Sequence, residues 1–398
     1  DEAVAAAERI GFPTPLGRLG PDRFEEAGWS ELIDEALGTE IDFPGGELRM
    51  SLTPAMTLFD GVLPVISLIK LLSVLGACAL AAAAYYLLRA LRTPNALQAG
   101  AWVLLLPSVV FNAPILGQCD VIWTAACLMA VAEAIKHRVR PMLFWCGVAV
   151  AFKAQAVFIA PFVLAVLLER RTPLYLWAIP PAVFAVAMLP AWAAGWPAQD
   201  LATIYLRQAE WAPEFIGNAA NPWSIAEFVG AGAAAAEFTW VGFAAAALAT
   251  IAYLCFYTRP RLWQHELLTA ALVSSMMLPF LLPKMHERFF FLADILAFAF
   301  AWTVRNRSAF AVAALVQLSS VMAAAGLNAW APGGAAGCAL SLAALSTLLT
   351  YALRNGGGAA STVPSSGPEE LSAPRSVAGS ASARIDQRAP QFRSVAQG

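Results

Sequence analysis

Between Arg307 and Arg354 lie 46 residues without a single Asp, Glu, Lys or Arg. Such charge-free runs recur: 18 residues between Lys70 and Arg89, 27 between Arg92 and Asp120, and 28 between Arg171 and Asp200. Glu237 to Arg259 encloses 21 more and Glu266 to Lys284 another 17. A helix needs about 20 apolar residues to cross the hydrocarbon of a bilayer. An outer-membrane barrel would alternate apolar and polar residues over segments of roughly 10. These runs are continuous blocks of Ala, Leu, Val and Phe, so they read as helices. Composition agrees, with 59% hydrophobic and 13% charged residues against about 25% charged in soluble domains. A soluble globule, a collagen-like chain and a wholly disordered chain are excluded. The net charge of −2 also excludes a nucleic-acid binder, which needs a basic face.

The expected fold is an all-α polytopic transmembrane bundle. Spans are expected at about 61–88, 97–112, 119–136, 141–152, 154–169, 173–194, 237–258, 265–283, 289–304, 308–327 and 336–353. The segments 141–152 and 154–169 are short. They read as one long tilted helix or as a hairpin of half-length helices around Lys153. The excess of Lys and Arg on cytoplasmic loops decides between them. With a hairpin, Arg89, Arg92, Lys136, Arg138, Arg140, Arg170, Arg171, Arg259, Arg261, Arg305, Arg307 and Arg354 share one face. With a single span the asymmetry vanishes, so the hairpin is expected.

Three regions follow. Residues 1–60 carry thirteen acids against four arginines and are expected to be extracytoplasmic. They show neither an initiator Met nor a signal-peptide pattern, so the chain is expected to begin downstream of its natural start. Residues 61–354 form the membrane domain. Residues 355–398, rich in Gly, Ser, Ala and Pro, are expected to be a disordered cytoplasmic tail. The six cysteines show no CxxC spacing and mostly fall in apolar runs, where they read as small buried hydrophobes.

Four polar clusters interrupt the apolar pattern, all on the expected outer face. The first runs from Asn112 through Pro114, Gly117 and Gln118 to Asp120, where one helix ends and the next begins. Asp120 reads as a helix cap or as part of a site with Asn112 and Gln118. The second is Lys153 with Gln155. A lysine between apolar half-helices snorkels to the interface or finds an anionic partner, here a phosphate or a carboxylate. The third is Lys284-Met-His286-Glu287-Arg288, followed by three phenylalanines. It reads as a solvated turn or as a cationic phosphate clamp, with Glu287 orienting Lys284 or Arg288. Asp294 beyond it is expected to face the bundle interior. The fourth is the loop from Tyr205 to Trp223, including Arg207, Asn218 and Asn221. Interfacial tryptophan is ordinary, and amides beside aromatic rings also suit a sugar. Phosphate plus sugar at a membrane edge points to a polyprenyl-phosphate sugar.

The strings Asn112-Ala-Pro, Gly117-Gln-Cys-Asp120, Phe152-Lys-Ala-Gln-Ala156, Asn218-Ala-Ala-Asn-Pro-Trp223 and Lys284-Met-His-Glu-Arg-Phe-Phe290 together resemble membrane mannosyltransferases. The likeness is to bacterial relatives of the second mannosyltransferase of glycosylphosphatidylinositol synthesis, among the GT-C glycosyltransferases, and covers roughly residues 65–355. The resemblance implies a GT-C-like bundle in a bacterial inner membrane and an inverting transfer at the extracytoplasmic face. It implies a polyprenyl-phosphate sugar donor, with mannose the expected sugar, a lipid or glycan acceptor, and no nucleic-acid partner. It also implies an Asp base in the first extracytoplasmic loop, after a first transmembrane helix. No apolar span precedes residue 60 here, and the nearest match is Asp22 with Phe24 and Trp29. Asp22 is thus the candidate base, with Asp120 in its absence. Lys284, Arg288, His286 and Lys153 would meet the lipid phosphate, and Asp120, Gln118 and Asn221 the sugar hydroxyls. A divalent cation at Asp120 is compatible with these residues, though no spacing demands one. A transporter or lipid flippase, and a non-catalytic envelope subunit, are the alternatives.

Overall fold

The computed structural model describes residues 42–43, 46–47, 62–115, 117–211, 218–258, 264–327 and 332–356. A short antiparallel pair, Asp42–Phe43 with Gly46–Glu47, precedes the helices. The other described residues form an all-α bundle. Inside a bilayer each backbone N–H and C=O needs a partner within its own segment, and a helix supplies it.

In chain order the helices are α1 (Val62–Ala90), α2 (Ala96–Trp102), α3 (Pro107–Val110), α4 (Asp120–Ile135), α5 (Val139–Phe152), α6 (Ala160–Glu169), α7 (Ile179–Ala193) and α8 (Ala198–Trp211). There follow α9 (Pro222–Phe228), α10 (Gly232–Ala236), α11 (Thr239–Tyr257), α12 (Gln264–Leu281), α13 (Phe291–Val304), α14 (Arg307–Leu327) and α15 (Gly333–Gly356). Among the described residues, five helical segments are long and apolar enough to cross a membrane, or six if the bent α2–α3 pair counts as one span. The chain is a membrane protein.

The outer helices present large apolar side chains outward, among them Leu75, Trp192, Phe243, Leu248, Phe310 and Leu353. The centre is filled by α4 and α13, most of whose side chains are buried. Helix α4 lies between α1 and α5, and α13 lies between α12 and α14. Small residues permit the close approach of α1 to α4 and of α5 to α7. A Cβ added at Gly76 would stand 2.6 Å from Val121, and one at Gly147 2.6 Å from Val183.

The hairpin around Lys153 is present. At the end of α5, Lys153 sits in extended backbone (φ −160°, ψ 136°), and a 3-10 turn over Ala154–Ile159 leads into α6. Lys153 pairs with Asp120 at the start of α4. Arg170, just past α6, donates to the Ala134 carbonyl at the opposite end of α4, at 2.7 Å. The chain therefore rises along α5 and returns along α6. Ser274 of α12 fixes the return, donating to the Phe158 carbonyl at 2.8 Å and accepting from the Phe162 N–H at 3.3 Å.

Two expectations need correction. The span at 97–112 is bent by 53° between Leu105 and Pro107. Proline disfavours helical backbone in the residue before it, and Leu106 is accordingly extended. The connection between the expected spans 173–194 and 237–258 contains α8, α9 and α10. Helix α9 exists because Asn221 caps it, accepting from the Trp223 and Ser224 N–H groups, and Pro222 presets its first turn.

The two ends of the bundle differ in chemistry. At one end lie Arg89, Arg92, Lys136, Arg138, Arg140, Arg170, Arg171, Arg305, Arg307 and Arg354, at the corresponding helix termini. There Thr93 and Thr303 hydrogen bond at 3.1 Å and Arg138 pairs with buried Glu133 at 3.2 Å. Arg259 and Arg261 fall outside the described residues, as do the expected tail and most of residues 1–60. The other end gathers the polar turns.

Candidate anion site at the polar end

The turn from α3 to α4 is built first. Residues Phe111–Ile115 form a π-helical turn containing Pro114, and Gly117 (φ 66°) reverses the chain. The turn is closed by the Gln118 N–H on the Asn112 carbonyl at 2.9 Å. Helix termini leave carbonyls without intrahelical partners. Lys70 of α1 takes up two of them, donating to Pro114 O at 2.7 Å and also to Ile115 O.

This turn delivers Asp120 into the core at 1% exposure. Four donors surround its carboxylate. Lys153 and the Trp123 indole N–H, the latter at 2.8 Å, bind Oδ1. Asn112 Nδ2 binds Oδ2 at 2.9 Å. The Gln118 amide is assigned with its nitrogen toward Oδ2 at 3.1 Å and its oxygen toward Arg288 Nη1 at 2.8 Å; turned the other way, its oxygen accepts from Asn112 Nδ2 at 3.0 Å. A chain of contacts thus runs Lys153–Asp120–Gln118–Arg288, tying together three of the four polar clusters.

That arrangement changes several expected roles. Asp120 makes no capping bond, because it is the first residue of α4 and its side chain faces the core. With both oxygens engaged it anchors the cluster. A divalent cation there would have to displace Lys153, so the donor set does not fit one. No group of three or more His, Cys, Asp or Glu able to hold a metal occurs among the described residues. The anionic partner expected for Lys153 is the Asp120 carboxylate.

The turn after α12 supplies the rest. Lys284 has left-handed backbone (φ 59°) and an exposed side chain. Glu287 points inward at 9% exposure and Arg288 is half-buried. Arg288 Nε is buried without a hydrogen-bond partner, as is Gln155 Oε1 nearby in sequence to Lys153. Burial raises the Glu287 carboxyl pKa from its ordinary value, and Asp120 adds to the rise. Its own backbone N–H, Arg288 and Lys153 oppose it.

In the fourth cluster the described side-chain contacts of Asn221 and Trp223 are with backbone. Asn218 pairs by backbone with His286. Asn221 spends its amide donors on the carbonyls of Pro279 and Leu282, both at 3.2 Å, and is 1% exposed. Trp223 Nε1 donates to Leu281 O at 3.0 Å. Asn221 and Trp223 therefore hold the 282–288 turn in place and are not free to bind sugar hydroxyls through these donors. Asp22 lies outside the described residues, as does the side chain of Arg207. Sequence reasoning missed Trp123 and Lys70. Trp123 stands one helical turn after Asp120, a spacing that carried the signal; Lys70 lies 44 residues from its partner, and nothing local marks it. Asp294 is buried in α13 as expected and accepts from Ser320 Oγ at 2.9 Å.

Comparison with protein-family models and with curated proteins returns no match for this chain.

Proposed function

We propose that the polar end of the bundle binds the phosphate of a polyprenyl-phosphate sugar, and that the protein transfers the sugar to an extracytoplasmic acceptor with inversion. Mannose is the expected sugar. The observation that carries the reading is the pairing of Lys153 and Arg288 through Asp120 and Gln118, with a buried Arg288 N–H left without a protein partner. Native proteins seldom leave such donors unpaired. A guanidinium held by Gln118 and still offering N–H groups suits phosphate oxygens, which it meets in a fixed fork. The orientation follows from the ten arginines and lysines at the opposite end, which the positive-inside tendency assigns to the cytoplasm.

In this reading an acceptor hydroxyl attacks the anomeric carbon. The bond to the phosphate oxygen breaks, and the electron pair leaves with the lipid phosphate. Arg288 and Lys153 face the charge that develops there, in surroundings of low dielectric where fixed positive groups act most strongly. Asp22 is retained as the proposed proton acceptor.

The test is transfer from a radiolabelled polyprenyl-phosphate mannose in proteoliposomes. Wild type should yield a glycosylated acceptor, and Lys284→Ala with Arg288→Ala should abolish it. Movement of labelled lipid across the bilayer without sugar transfer would replace this reading with a flippase.

A further inference from the structure

An apolar cavity of about 500 Å³ lies between α5, α6, α7 and α11, lined in part by Val150, Val157, Leu164, Leu167 and Trp177. Thr250, the hydroxyl-bearing residue of the lining, donates to the Ala246 carbonyl of its own helix at 2.7 Å. A cavity of this size and lining suits an apolar ligand. Val157 and Ala160 of the lining are exposed on the bundle surface, so a chain can enter sideways from the bilayer.

The cavity follows α6 down to Leu167, three residues before Arg170. Residues three apart on a helix are neighbours on one face. Trp177 of the lining is tied to the same turn, donating to the Thr172 carbonyl at 3.3 Å. The backbone closes this helix end by itself. The Arg170, Arg171 and Thr172 N–H groups donate to the Val166, Leu168 and Leu167 carbonyls at 3.1, 3.1 and 2.9 Å. Arg170 Nη2 donates to the Ala134 carbonyl at 2.7 Å, and Nε stands 3.6 Å from Glu169 Oε2. Arg170 Nη1 and Thr172 Oγ1 are buried without a hydrogen-bond partner, a condition native proteins seldom leave unmet. The surroundings favour an anion. Segments 133–140 and 169–172 carry five cations, Lys136, Arg138, Arg140, Arg170 and Arg171, against Glu133 and Glu169, a net of +3 with His137 neutral. Glu133 is already held by Arg138 and Tyr86.

We infer that one anionic phospholipid, from the leaflet at the basic end, seats here with its phosphate beside Arg170 and Thr172 and an acyl chain in the cavity along α6. Basic pockets between membrane helices hold anionic head groups in this way. A head group alone would leave the cavity empty. An isoprenoid chain entering from the polar end would fill the cavity without meeting Arg170. A phospholipid satisfies both features. The site lies at the opposite end of α4 from Asp120 and does not depend on the sugar-transfer reading.

The test titrates the full chain, delipidated in dodecyl maltoside, with dioleoyl phosphatidylglycerol, dioleoyl phosphatidylcholine and inorganic phosphate, and counts bound ligand by native mass spectrometry. Wild type should hold one phosphatidylglycerol about tenfold more tightly than phosphatidylcholine, the worth of one charge-assisted contact. Arg170→Gln keeps a donor for the Ala134 carbonyl and should erase that preference. Arg140→Gln, which removes an exposed charge outside the lining, should leave it nearly unchanged and so separates a seated head group from general attraction to a basic surface. Leu164→Trp fills the cavity and should weaken both lipids; it lies away from the charges, so the proposal stays testable if Arg170→Gln fails to fold. Equal affinity of wild type for the two lipids overturns the inference, as does an equal loss in Arg140→Gln and Arg170→Gln. Phosphatidylglycerol binding unchanged by Leu164→Trp, or matched by inorganic phosphate, overturns the seat of the chain and with it the lipid.

Discussion

With its amide oxygen assigned to the Arg288 side, Gln118 accepts a hydrogen bond from Arg288 Nη1 at 2.8 Å while its nitrogen faces Asp120 Oδ2 at 3.1 Å. An uncharged side chain thus joins a guanidinium to a buried carboxylate, and it aims Arg288 without neutralising it. A direct Arg288–Asp120 pair would cancel the charge a phosphate needs. Gln118→Leu should therefore leave the fold intact but free Arg288 to wander. We expect the affinity for farnesyl methyl phosphate to drop by roughly 10-fold, the worth of about one charge-assisted hydrogen bond, with the melting temperature nearly unchanged. Equal affinity in the variant would show that Gln118 does not position Arg288.

The two cations of the 284–288 turn should not be equivalent. Lys284 is exposed, whereas Arg288 is half-buried against Gln118. Exposed charges are screened by water and salt and contribute little to a contact. Arg288→Ala should reduce sugar transfer by about 100-fold or more, in line with the loss of one preorganised charge-stabilising donor. Lys284→Ala should cost far less. Initial rates at saturating donor check the ranking, and a larger loss for Lys284→Ala would relocate the clamp to the surface.

Asp120 at 1% and Lys153 at 15% side-chain exposure form an ion pair deep in the bundle. Removing one partner of such a pair strands the other, at about 3–5 kcal/mol. Lys153→Met should markedly lower the unfolding temperature in detergent. Asp120→Asn combined with Lys153→Met should restore most of it, because no charge is then left alone, while transfer stays absent. If the double variant regained activity, Lys153 would be a structural residue only.

Asn221 tests the scaffold reading of the fourth cluster. It caps α9 and holds the Pro279 and Leu282 carbonyls. Asn221→Ala should destabilise the protein by about 1–3 kcal/mol, combining a lost cap with carbonyls left unbonded. The donor KM of the folded fraction should stay within about a factor of a few. A KM rise with no change in unfolding temperature would return Asn221 to the sugar site.

Periodicity and charge made the bundle legible because lipid allows so few alternatives: an apolar run must be a helix, and its length marks where it ends. The break at Lys153 was legible for the same reason, since neither half reaches the usual span. What the one-dimensional pattern concealed was pairing. Asn221 reads as a sugar-binding amide because Asn and Trp side by side suit a sugar, yet its donors meet carbonyls 58 and 61 residues away. Asp120 reads as a cap or a base, and only the packing of α4 against Lys153 and Asn112 reveals that its oxygens are occupied. Local residue type suggested the chemistry available, and long-range contacts decided how it is used.

The return of the chain at Lys153 has a direct topological consequence. With α5 and α6 forming a hairpin, residues before α5 and after α6 share one face of the bundle, and the junction lies at the other. Arg140 and Arg171 are exposed, as is Phe152. The native cysteines, of which Cys78, Cys119 and Cys255 are exposed, are first replaced by Ala or Ser. Single cysteines Arg140→Cys and Arg171→Cys should then be labelled by a membrane-impermeant maleimide from the same side, and Phe152→Cys from the opposite side. In inside-out vesicles the pattern should reverse. Labelling of Arg140→Cys and Arg171→Cys from opposite sides would make residues 140–170 one tilted span. That span would carry Lys153 towards mid-membrane and separate it from the turn that bears Asp120.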